Sequence, residues 1–365
     1  MHSLSLGPSL IVCLVASLSL CSSAEDPIVE VSSGRLAGKA VDFSHKDVNV
    51  TRTVHVFKGI PFVEPPVGDL RFRQPQAKQP WEEVYDATEY GPICIQPQNP
   101  TFPVRGTQSE DCLFLNVFSP ETDTTAKLPV MVWIHGGGLS GGSGSGDYHD
   151  GTALAAIGDV IVVSFNYRLG VLGFFATGDS HAAGNYGFYD QIAALQWVQT
   201  NIAAFGGDPG KVTVFGESAG STSIEYLLLS PLTDGLFHRA IMQSGTATME
   251  WFVARPCGDV CKKVAHGLGK LVGCEKSTSE ELVNCLRTVS AEDFRDPVDP
   301  MKGQIPEVTG LGEDELTTIA FPPYIDGHFL KEKPEDVIRD KTFPKKDINL
   351  IIGTMASEGH CIYRC

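Results

Sequence analysis

Ser218 is the residue whose type and surroundings are best suited to covalent chemistry. It lies at the centre of Gly216-Glu217-Ser218-Ala219-Gly220, between an apolar run at 211–215 and a helix-like stretch at 221–229. A serine on a sharp turn between a strand and a helix has a strained backbone and an exposed hydroxyl, as a nucleophile requires. The flanking glycines let strand and helix approach closely, where a Cβ would clash. We therefore predict Ser218 as a nucleophile; the alternative is an ordinary glycine-flanked surface serine.

A second pattern suits the intermediate that such a serine would form. The buried-strand run 130–134 leads directly into a His-Gly-Gly-Gly tetrapeptide that begins at His135. Acyl transfer forms a tetrahedral oxyanion, and each backbone N–H group fixed beside it stabilises the transition state by about 3 kcal/mol. We predict the N–H groups of Gly137, Gly138 and Ala219 as these donors.

The elements that must position these groups follow from short apolar runs. The runs are nearly continuous rather than alternating, which suits parallel strands buried on both faces. They lie at 129–134, 159–165, 211–215 and 348–352. Helix-like stretches separate them, and the longest is expected at 189–204, after a break at Gly187. Alternating strands and helices predict one α/β domain with a mostly parallel central sheet covered by helices.

The remaining segments are less regular. A strand, a turn and a second strand are expected at 28–39, and the polar, loop-rich stretch 255–345 is expected to decorate the sheet and wall the pocket. The GGSGSG stretch at 141–146 lacks the Lys-Ser/Thr ending of a phosphate-binding loop. It is interpreted as a flexible turn.

Further segments occur in a fixed order along the chain. They are FKGIPF at 57–62 with Pro65-Pro66, LRF at 70–72, SEDCLFLNV at 109–117, NYRLG at 166–170, GNYG at 184–187 with Asp190-Gln191, and FGGDP at 205–209. Together with the serine and glycine patterns, they resemble the type-B carboxylesterases, which include the cholinesterases, from residue 27 to residue 363. The resemblance implies an α/β-hydrolase fold over residues 25–365 and a serine hydrolase that cleaves carboxylic esters.

The carboxylate that orients a catalytic base is predicted at Glu358. The run 347–353 has the composition of another core strand, and Glu358 lies in the turn that follows it. In the hydrolase order the acid follows a late strand, and the family places its acidic residue in a similar arrangement. Two alternatives stay open: Glu358 as a solvated loop residue, or Glu217 as the acid. The position of Glu217 beside the nucleophile suits a supporting hydrogen bond better.

The histidine base is missing from the position where the family has it. The order in this fold is serine, acid, histidine, and only His360 follows Glu358, too close to it to serve as the base. His135 belongs to the predicted oxyanion loop, and three other upstream histidines occupy positions that do not suit the fold: His149, His181 and His238. We therefore expect a domain that lacks its C-terminal part, with an exposed sheet edge and weak or no activity.

The first 24 residues resemble a cleaved secretory signal. An apolar run at 10–20 precedes Ser22-Ser23-Ala24, a small-residue cleavage site. The run is too short to anchor the chain in a bilayer, and no later segment reaches about 18 apolar residues. We predict a secreted protein without a membrane span. The endoplasmic reticulum lumen is the alternative if a longer form carries a retention signal.

Cysteine usage also indicates an oxidising compartment. Ten cysteines are present, two of them in the signal segment, and spacing alone does not pair the others. The family resemblance implies the pairs Cys94 with Cys112 and Cys274 with Cys285. It assigns no partner to Cys257, Cys261, Cys361 and Cys365. Two C-x₃-C spacings near His266 and His360 fit zinc poorly, so no metal is predicted.

The surface chemistry fits an exported protein. The formal net charge is −16, and the signal segment carries none of it. A strongly acidic chain does not seek nucleic acid or anionic lipid, so neither is predicted as a partner. Asn49 lies in the predicted glycosylation site Asn49-Val50-Thr51, whereas Pro100 disqualifies Asn99. No cofactor is predicted.

The predicted substrate class rests on one absence. Cholinesterases hold a quaternary ammonium over a tryptophan in the first disulfide loop, but the span 94–112 contains Phe102 and no Trp or Tyr. Leu139, which continues the glycine run, resembles the general carboxylesterases. We therefore predict a small-molecule neutral ester rather than a choline ester. Fatty-acyl esters and the oligomeric state stay open.

Two other functions fit parts of the sequence. A non-catalytic, cholinesterase-like binding or adhesion module is favoured by the missing histidine, but it has no need of Ser218, Glu358 and the glycine run. A lipase would need an apolar lid, for which only 319–323 is a mild candidate.

Overall fold

The computed structural model of the protein describes residues 26–98, 103–146, 149–249, 252–295, 309, 321–344 and 347–356. The predicted signal segment, Phe102, Glu358 and His360 lie outside these residues, as do Cys361 and Cys365.

The described residues form seventeen strands, most of them short. In chain order they are β1 (Ile28–Val31), β2 (Gly34–Ala37), β3 (Lys39–His45), β4 (Val50–Pro61), β5 (Val84–Asp86), β6 (Ile93–Cys94), β7 (Gln108–Ser109), β8 (Phe114–Ser119), β9 (Leu128–Ile134), β10 (Ile161–Phe165), β11 (Ala176–Asp179), β12 (Ala182–Ala183), β13 (Gly207–Glu217), β14 (Arg239–Gln243), β15 (Arg255–Pro256), β16 (Tyr324–Ile325) and β17 (Asn349–Gly353). The strand–turn–strand predicted at 28–39 is the β1–β2 hairpin, which β5 extends into a three-stranded sheet.

Eight of these strands make the central sheet, in the order β17-β14-β13-β9-β10-β8-β4-β3. The five strands from β17 to β10 are parallel to one another, whereas β8, β4 and β3 add antiparallel pairs at the other side. The prediction of a mostly parallel central sheet is therefore confirmed. Because carboxyl ends of parallel strands meet at one edge of a sheet, the segments that follow β9, β13 and β14 lie side by side.

The prediction that the apolar runs are buried on both faces is correct for β10 and wrong for several others. All five residues of β10 are buried, but β9 and β13 alternate between buried and partly exposed residues. Every residue of β17 is exposed, and the exposed fractions are 44% for Leu350, 64% for Ile351 and 59% for Ile352. The reason is position: β17 is the last strand at one edge of the sheet, and among the described residues only β14 pairs with it and no helix packs closely on it.

Helices of the described residues cover both faces of the sheet. They are α1 (Thr152–Gly158), α2 (Gly170–Phe174), α3 (Tyr186–Asn201), α4 (Ala219–Leu229), α5 (Gly258–Leu271), α6 (Ser279–Leu286) and α7 (Pro334–Asp340). α1 packs on β4, β8 and β10 over a small core around Phe118, whereas α4 packs on β9, β13 and β14 within the main core. In this part of the chain, no helix combines the length and the apolarity that crossing a membrane requires.

The predicted start of α3 is wrong. Gly187 does not break the helix but lies in its first turn, since α3 begins at Tyr186. The structure gives the physical reason: a Cβ at Gly187 would lie 2.6 Å from the backbone oxygen of Arg168 and 2.7 Å from the ring of Phe174. Glycine is needed there for close packing. At the other end, α3 stops at Asn201 and a 3₁₀ helix, Ile202–Phe205, replaces the predicted last turn.

The described residues contain three disulfides. Two are the pairs that the family resemblance implied, Cys94–Cys112 and Cys274–Cys285. The third, Cys257–Cys261, lies at the start of α5 and was assigned by no sequence argument. Because its two sulfurs are bonded to each other, they are not free to bind zinc, and no cluster of metal-ligating side chains occurs among the described residues.

Candidate active site

Ser218 occupies the sharp turn that the sequence predicts. β13 ends at Glu217 and α4 begins at Ala219, two residues earlier than expected, so Ser218 alone connects strand to helix. Its φ of 57° and ψ of −122° are strained for a residue with a side chain, at a typical cost of about 1–3 kcal/mol. Backbone hydrogen bonds fix the turn: Ser218 N donates to the Gln243 oxygen over 2.9 Å, and Thr222 N donates to the Ser218 oxygen over 3.0 Å.

The glycines around Ser218 are required by close contact. A Cβ at Gly216 would lie 2.7 Å from the backbone oxygen of Ile134, and a Cβ at Gly220 would overlap the same oxygen. Sequence reasoning missed a third such residue, Gly245, whose Cβ would overlap the backbone oxygen of Ser218. The sequence offered one signal for Gly245: it comes shortly after an apolar run that forms β14, the strand beside β13.

The segment 136–142, which we call the glycine loop, follows β9 and lies beside Ser218. A Cβ at Gly136 would lie 2.7 Å from the Glu217 backbone oxygen and 3.2 Å from the Cβ of Ser218. Gly137 and Gly138 have φ values of 108° and 66°, which side chains rarely adopt. The structure thus brings Gly136, the residue directly before these two glycines, against Ser218 at the ends of β9 and β13. Their roles as nucleophile and oxyanion donors stay predictions.

The stretch 141–146 is not the flexible turn that its composition suggested. Gly142 is hydrogen bonded through both its N–H and its C=O to the side chain of Gln96. The Asn166 side chain accepts from Ser143 Oγ over 3.0 Å and from Gly144 N over 2.9 Å. These partners lie far away in sequence, so the composition of the stretch alone could not reveal them.

His135 is unsuited to act as the base. Its ring is 1% exposed, stacks on Tyr167 with 4.3 Å between ring centroids, and its Nδ1 lies 2.8 Å from the Gly136 oxygen. Burial lowers the pKa of His135 to about 3, which leaves the ring uncharged at neutral pH. Tyr167 donates a hydrogen bond to the His135 backbone oxygen over 2.9 Å. The pair therefore anchors the end of β9.

The other histidines do not complete the site. Burial lowers the pKa of His149, which packs against Trp133, and His238 binds the backbone of Val212, several residues before Ser218 along β13. His181 lies in an exposed turn. Within the part of the chain that the structure describes, no histidine hydrogen bonds to the Ser218 hydroxyl. Glu358 and His360 lie outside that part.

Glu217 ends β13, directly before Ser218. The Glu217 carboxylate lies beside the glycine loop, because a Cβ at Gly136 would be 3.0 Å from its Oε2. The supporting role of Glu217 stays a prediction.

The suggested lid at 319–323 is described only from Phe321 onward. Phe321 is 1% exposed, and its ring packs against Phe175. A side chain buried in this way does not suit a lid that opens at the surface.

A set of side chains on α4 holds the segment that follows β14. Ser221 Oγ donates to the Gly245 oxygen over 2.7 Å, and Thr222 Oγ1 donates to the Thr246 oxygen over 3.3 Å. Further along α4, Glu225 Oε2 accepts from Ala247 N over 2.6 Å. Because Gly245 touches Ser218, these contacts fix one wall of the candidate site. Sequence analysis did not identify them.

A small cavity adjoins the glycine loop through Ser140. Its walls are mostly apolar, with three polar side chains, and include Ile95, Gln96, Pro97, Ser140, Phe294 and Arg295. Ile95, Gln96 and Pro97 belong to the Cys94–Cys112 loop, and Phe294 and Arg295 belong to the polar stretch 255–345. The cavity therefore has walls from both of these segments.

Comparisons with known proteins agree with the geometry. The model of the carboxylesterase family matches residues 25–365. The chain is 42% identical to the fatty acyl-CoA hydrolase precursor, medium chain, of Anas platyrhynchos, covering 90% of this chain and 56% of that protein. It is 42% identical to the liver carboxylesterase of Sus scrofa, over 88% and 56%, and 40% identical to liver carboxylesterase 1 of Oryctolagus cuniculus, over 90% and 59%. The chain thus spans less than two thirds of the length of these curated relatives.

Proposed function

Because the chain belongs to the carboxylesterase family, we propose that it is a serine hydrolase that cleaves carboxylic esters through an acyl-enzyme on Ser218. One observation carries the proposal: the strained turn at Ser218, between β13 and α4, lies against the glycine loop. In the proposal, Ser218 attacks the carbonyl carbon of the ester while N–H groups of the adjacent loop bind its oxygen, as acyl transfer requires.

In the proposed reaction, Ser218 Oγ attacks the ester carbonyl and loses its proton to a base. The N–H groups of Gly137, Gly138 and Ala219 bind the oxyanion. The intermediate then expels the alcohol, which takes the proton from the base, and water releases the acid by the reverse sequence. Glu358 is proposed as the carboxylate that orients the base. Since no described histidine contacts the Ser218 hydroxyl, we expect the 365-residue chain by itself to turn over slowly.

The proposed substrates are small neutral esters. The absence of a tryptophan from the first disulfide loop and the Leu139 continuation of the glycine run support this class. The names of the relatives, liver carboxylesterases and a medium-chain fatty acyl-CoA hydrolase, add thioesters of medium-chain acids as a second class to test. The missing tryptophan in the span 94–112 argues against choline esters.

We also propose that the protein enters the secretory pathway, with residues 1–24 as its signal and 25–365 as one domain. Three disulfides suit an oxidising compartment. The exposure of Asn49 in the turn between β3 and β4 supports the proposed glycosylation.

The test is to express the chain in a eukaryotic secretory host, beside Ser218→Ala. Labelling by a fluorophosphonate probe and hydrolysis of p-nitrophenyl butyrate are then compared. We expect slow labelling and hydrolysis by the wild type, both above background, and neither by Ser218→Ala. Equal, background rates in both would overturn the proposal for this chain. That result would favour the non-catalytic binding module, which the lack of a described histidine partner for Ser218 supports.

A further inference from the structure

We propose that Gln96 is a positioning residue that holds the glycine loop in its active shape and ties it to the Cys94–Cys112 disulfide. The inference rests on the proposed function for its effect on catalysis. The clamp itself is a property of the fold and can be tested without any substrate.

The amide of Gln96 binds both polar groups of one backbone residue. Its Nε2 donates to the Gly142 oxygen over 2.9 Å, and its Oε1 accepts from Gly142 N over 2.8 Å. The second Nε2 hydrogen goes to the Cys94 oxygen over 3.0 Å. Gln96 is 3% exposed. Its removal would therefore leave the partly buried N–H and C=O groups of Gly142 and the buried oxygen of Cys94 without this partner.

The glycine loop needs an external restraint. Gly137, Gly138, Leu139 and Gly142 all have positive φ, from 56° to 108°. Such a glycine-rich conformation loses much backbone entropy on folding. The internal hydrogen bonds of the loop are few: the N–H groups of Ser140 and Gly141 both point to the Gly137 oxygen.

Gly142 transmits the restraint to the predicted donors. A Cβ at Gly142 would overlap the backbone oxygen of Gly136, and a Cβ at Gly137 would overlap that of Gly141. The two ends of the loop are therefore packed directly on each other. When Gln96 fixes Gly142, it also fixes the backbone of Gly136 and Gly137, which lie beside Ser218.

A second amide ties the other end of the disulfide to the same region. Asn166 Nδ2 donates to the Cys112 oxygen over 3.0 Å, while its Oδ1 accepts from Gly144 N over 2.9 Å. Each cysteine of the Cys94–Cys112 bridge thus has its carbonyl bound by a side chain that also holds residue 142 or 144. The disulfide and the glycine loop form one hydrogen-bonded unit.

The first experiment measures the clamp alone. Hydrogen–deuterium exchange, resolved to single amides, is compared in wild type, Gln96→Met and Gln199→Met. Gln199 is the matched control: its Nε2 also donates to two backbone oxygens, of Pro209 and Leu236, but near the opposite end of β13 from Ser218. We expect exchange at Ser140 and Gly141, whose hydrogen bonds do not involve Gln96, to become about tenfold faster only in Gln96→Met.

The second experiment measures catalysis with p-nitrophenyl butyrate. Misplacing a reacting geometry by about 1 Å costs up to about 100-fold in rate. We expect kcat of Gln96→Met to fall about 10- to 100-fold with KM within about threefold, because the oxyanion contact strengthens in the transition state. Gln199→Met keeps the wild-type kcat. Gln96→Glu, which retains an acceptor for Gly142 N, lies between the wild type and Gln96→Met and replaces the latter if that variant does not fold.

Unchanged exchange at Ser140 and Gly141 in Gln96→Met would overturn the clamp. Faster exchange with an unchanged kcat would overturn the catalytic role of Gln96. If the wild type hydrolyses no ester, the proposed function fails, and the exchange comparison decides the clamp by itself.

Discussion

Gly245 lies directly against the backbone oxygen of Ser218, with no room for a Cβ between them. The contact joins two strands of the sheet, because Ser218 follows β13 and Gly245 comes shortly after β14. The neighbouring strand therefore restricts where the serine turn can lie.

We expect Gly245→Ala to displace the Ser218 turn. Its fluorophosphonate labelling should slow about 100-fold, because the displacement disturbs the attack geometry. The control is Gly353→Ala in β17, where an added Cβ meets no atom of the described residues within 4 Å. Labelling at the wild-type rate in Gly245→Ala, with a wild-type melting temperature, would show that the turn tolerates the side chain.

The Glu225 carboxylate should make stability depend on pH. Burial raises the pKa of Glu225 above its ordinary value of 4.5, despite the hydrogen bond from Ala247 N. The folded chain therefore holds this proton more strongly than the unfolded chain. This contribution is fully present below pH 4.5 and is lost as the pH rises through the raised folded pKa.

The measurement is urea unfolding of wild type and Glu225→Gln between pH 4 and pH 7.5. We expect the free energy of unfolding of the wild type to fall, relative to Glu225→Gln, as the pH rises. A difference that stays constant over this range would mean that the carboxylate is not perturbed by burial.

The disulfides should differ in their effect on both stability and activity. Cys94–Cys112 spans 18 residues and Cys257–Cys261 spans 4. From loop closure alone, replacing both cysteines of a pair by serine costs about 3 kcal/mol for the first and about 2 kcal/mol for the second. Guanidinium unfolding measures these losses.

The double variant of Cys94 and Cys112 should also lose kcat, since Gln96 and Asn166 connect this bridge to the glycine loop. The variant of Cys257 and Cys261 should keep kcat. Equal kcat values in the two double variants would show that the Cys94–Cys112 bridge has no effect on catalysis.

A buried ion pair that links Arg168 to Asp190 of α3 should contribute strongly to stability. Arg168 Nε and Nη2 each lie 2.7 Å from an oxygen of Asp190, and both side chains are buried. Asp190→Asn leaves a buried guanidinium without its counter-ion, so we expect a loss of about 3–5 kcal/mol.

The comparison variant is Asp336→Asn, which removes an exposed partner of Arg339. Its expected cost is at most about 1 kcal/mol. Chemical denaturation of the two variants measures the difference, and similar small losses in both would contradict the buried-pair account.

Sequence patterns predicted the parts of the site that are local. The turn at Ser218 and the glycine loop each depend on residues that are adjacent in the chain, so spacing was sufficient to place them. The predicted start of α3 was wrong because a glycine can either interrupt a helix or allow close packing. Gly187 is present for close contact with Arg168.

Contacts between distant segments could not be predicted in this way. Gln96 and Gly142 are separated by 46 residues, and nothing near either one indicates the other. The same holds for Glu225 and Ala247, which meet because β14 lies beside β13. The exposure of β17 also escaped prediction, since an apolar run has the same composition at an edge as in the centre of a sheet.

The order of the central sheet has a consequence for how the chain reaches this structure. β17 pairs with β14 through Arg239 and Asn349, which more than a hundred residues separate. Contacts so distant in sequence form late, because the entropy of closing the intervening loop is lost before any bond compensates for it. During synthesis, β14 therefore has an unpaired edge until β17 has been made. The rate at which β17 pairs with β14 and the supply of chaperones should limit the yield of folded protein.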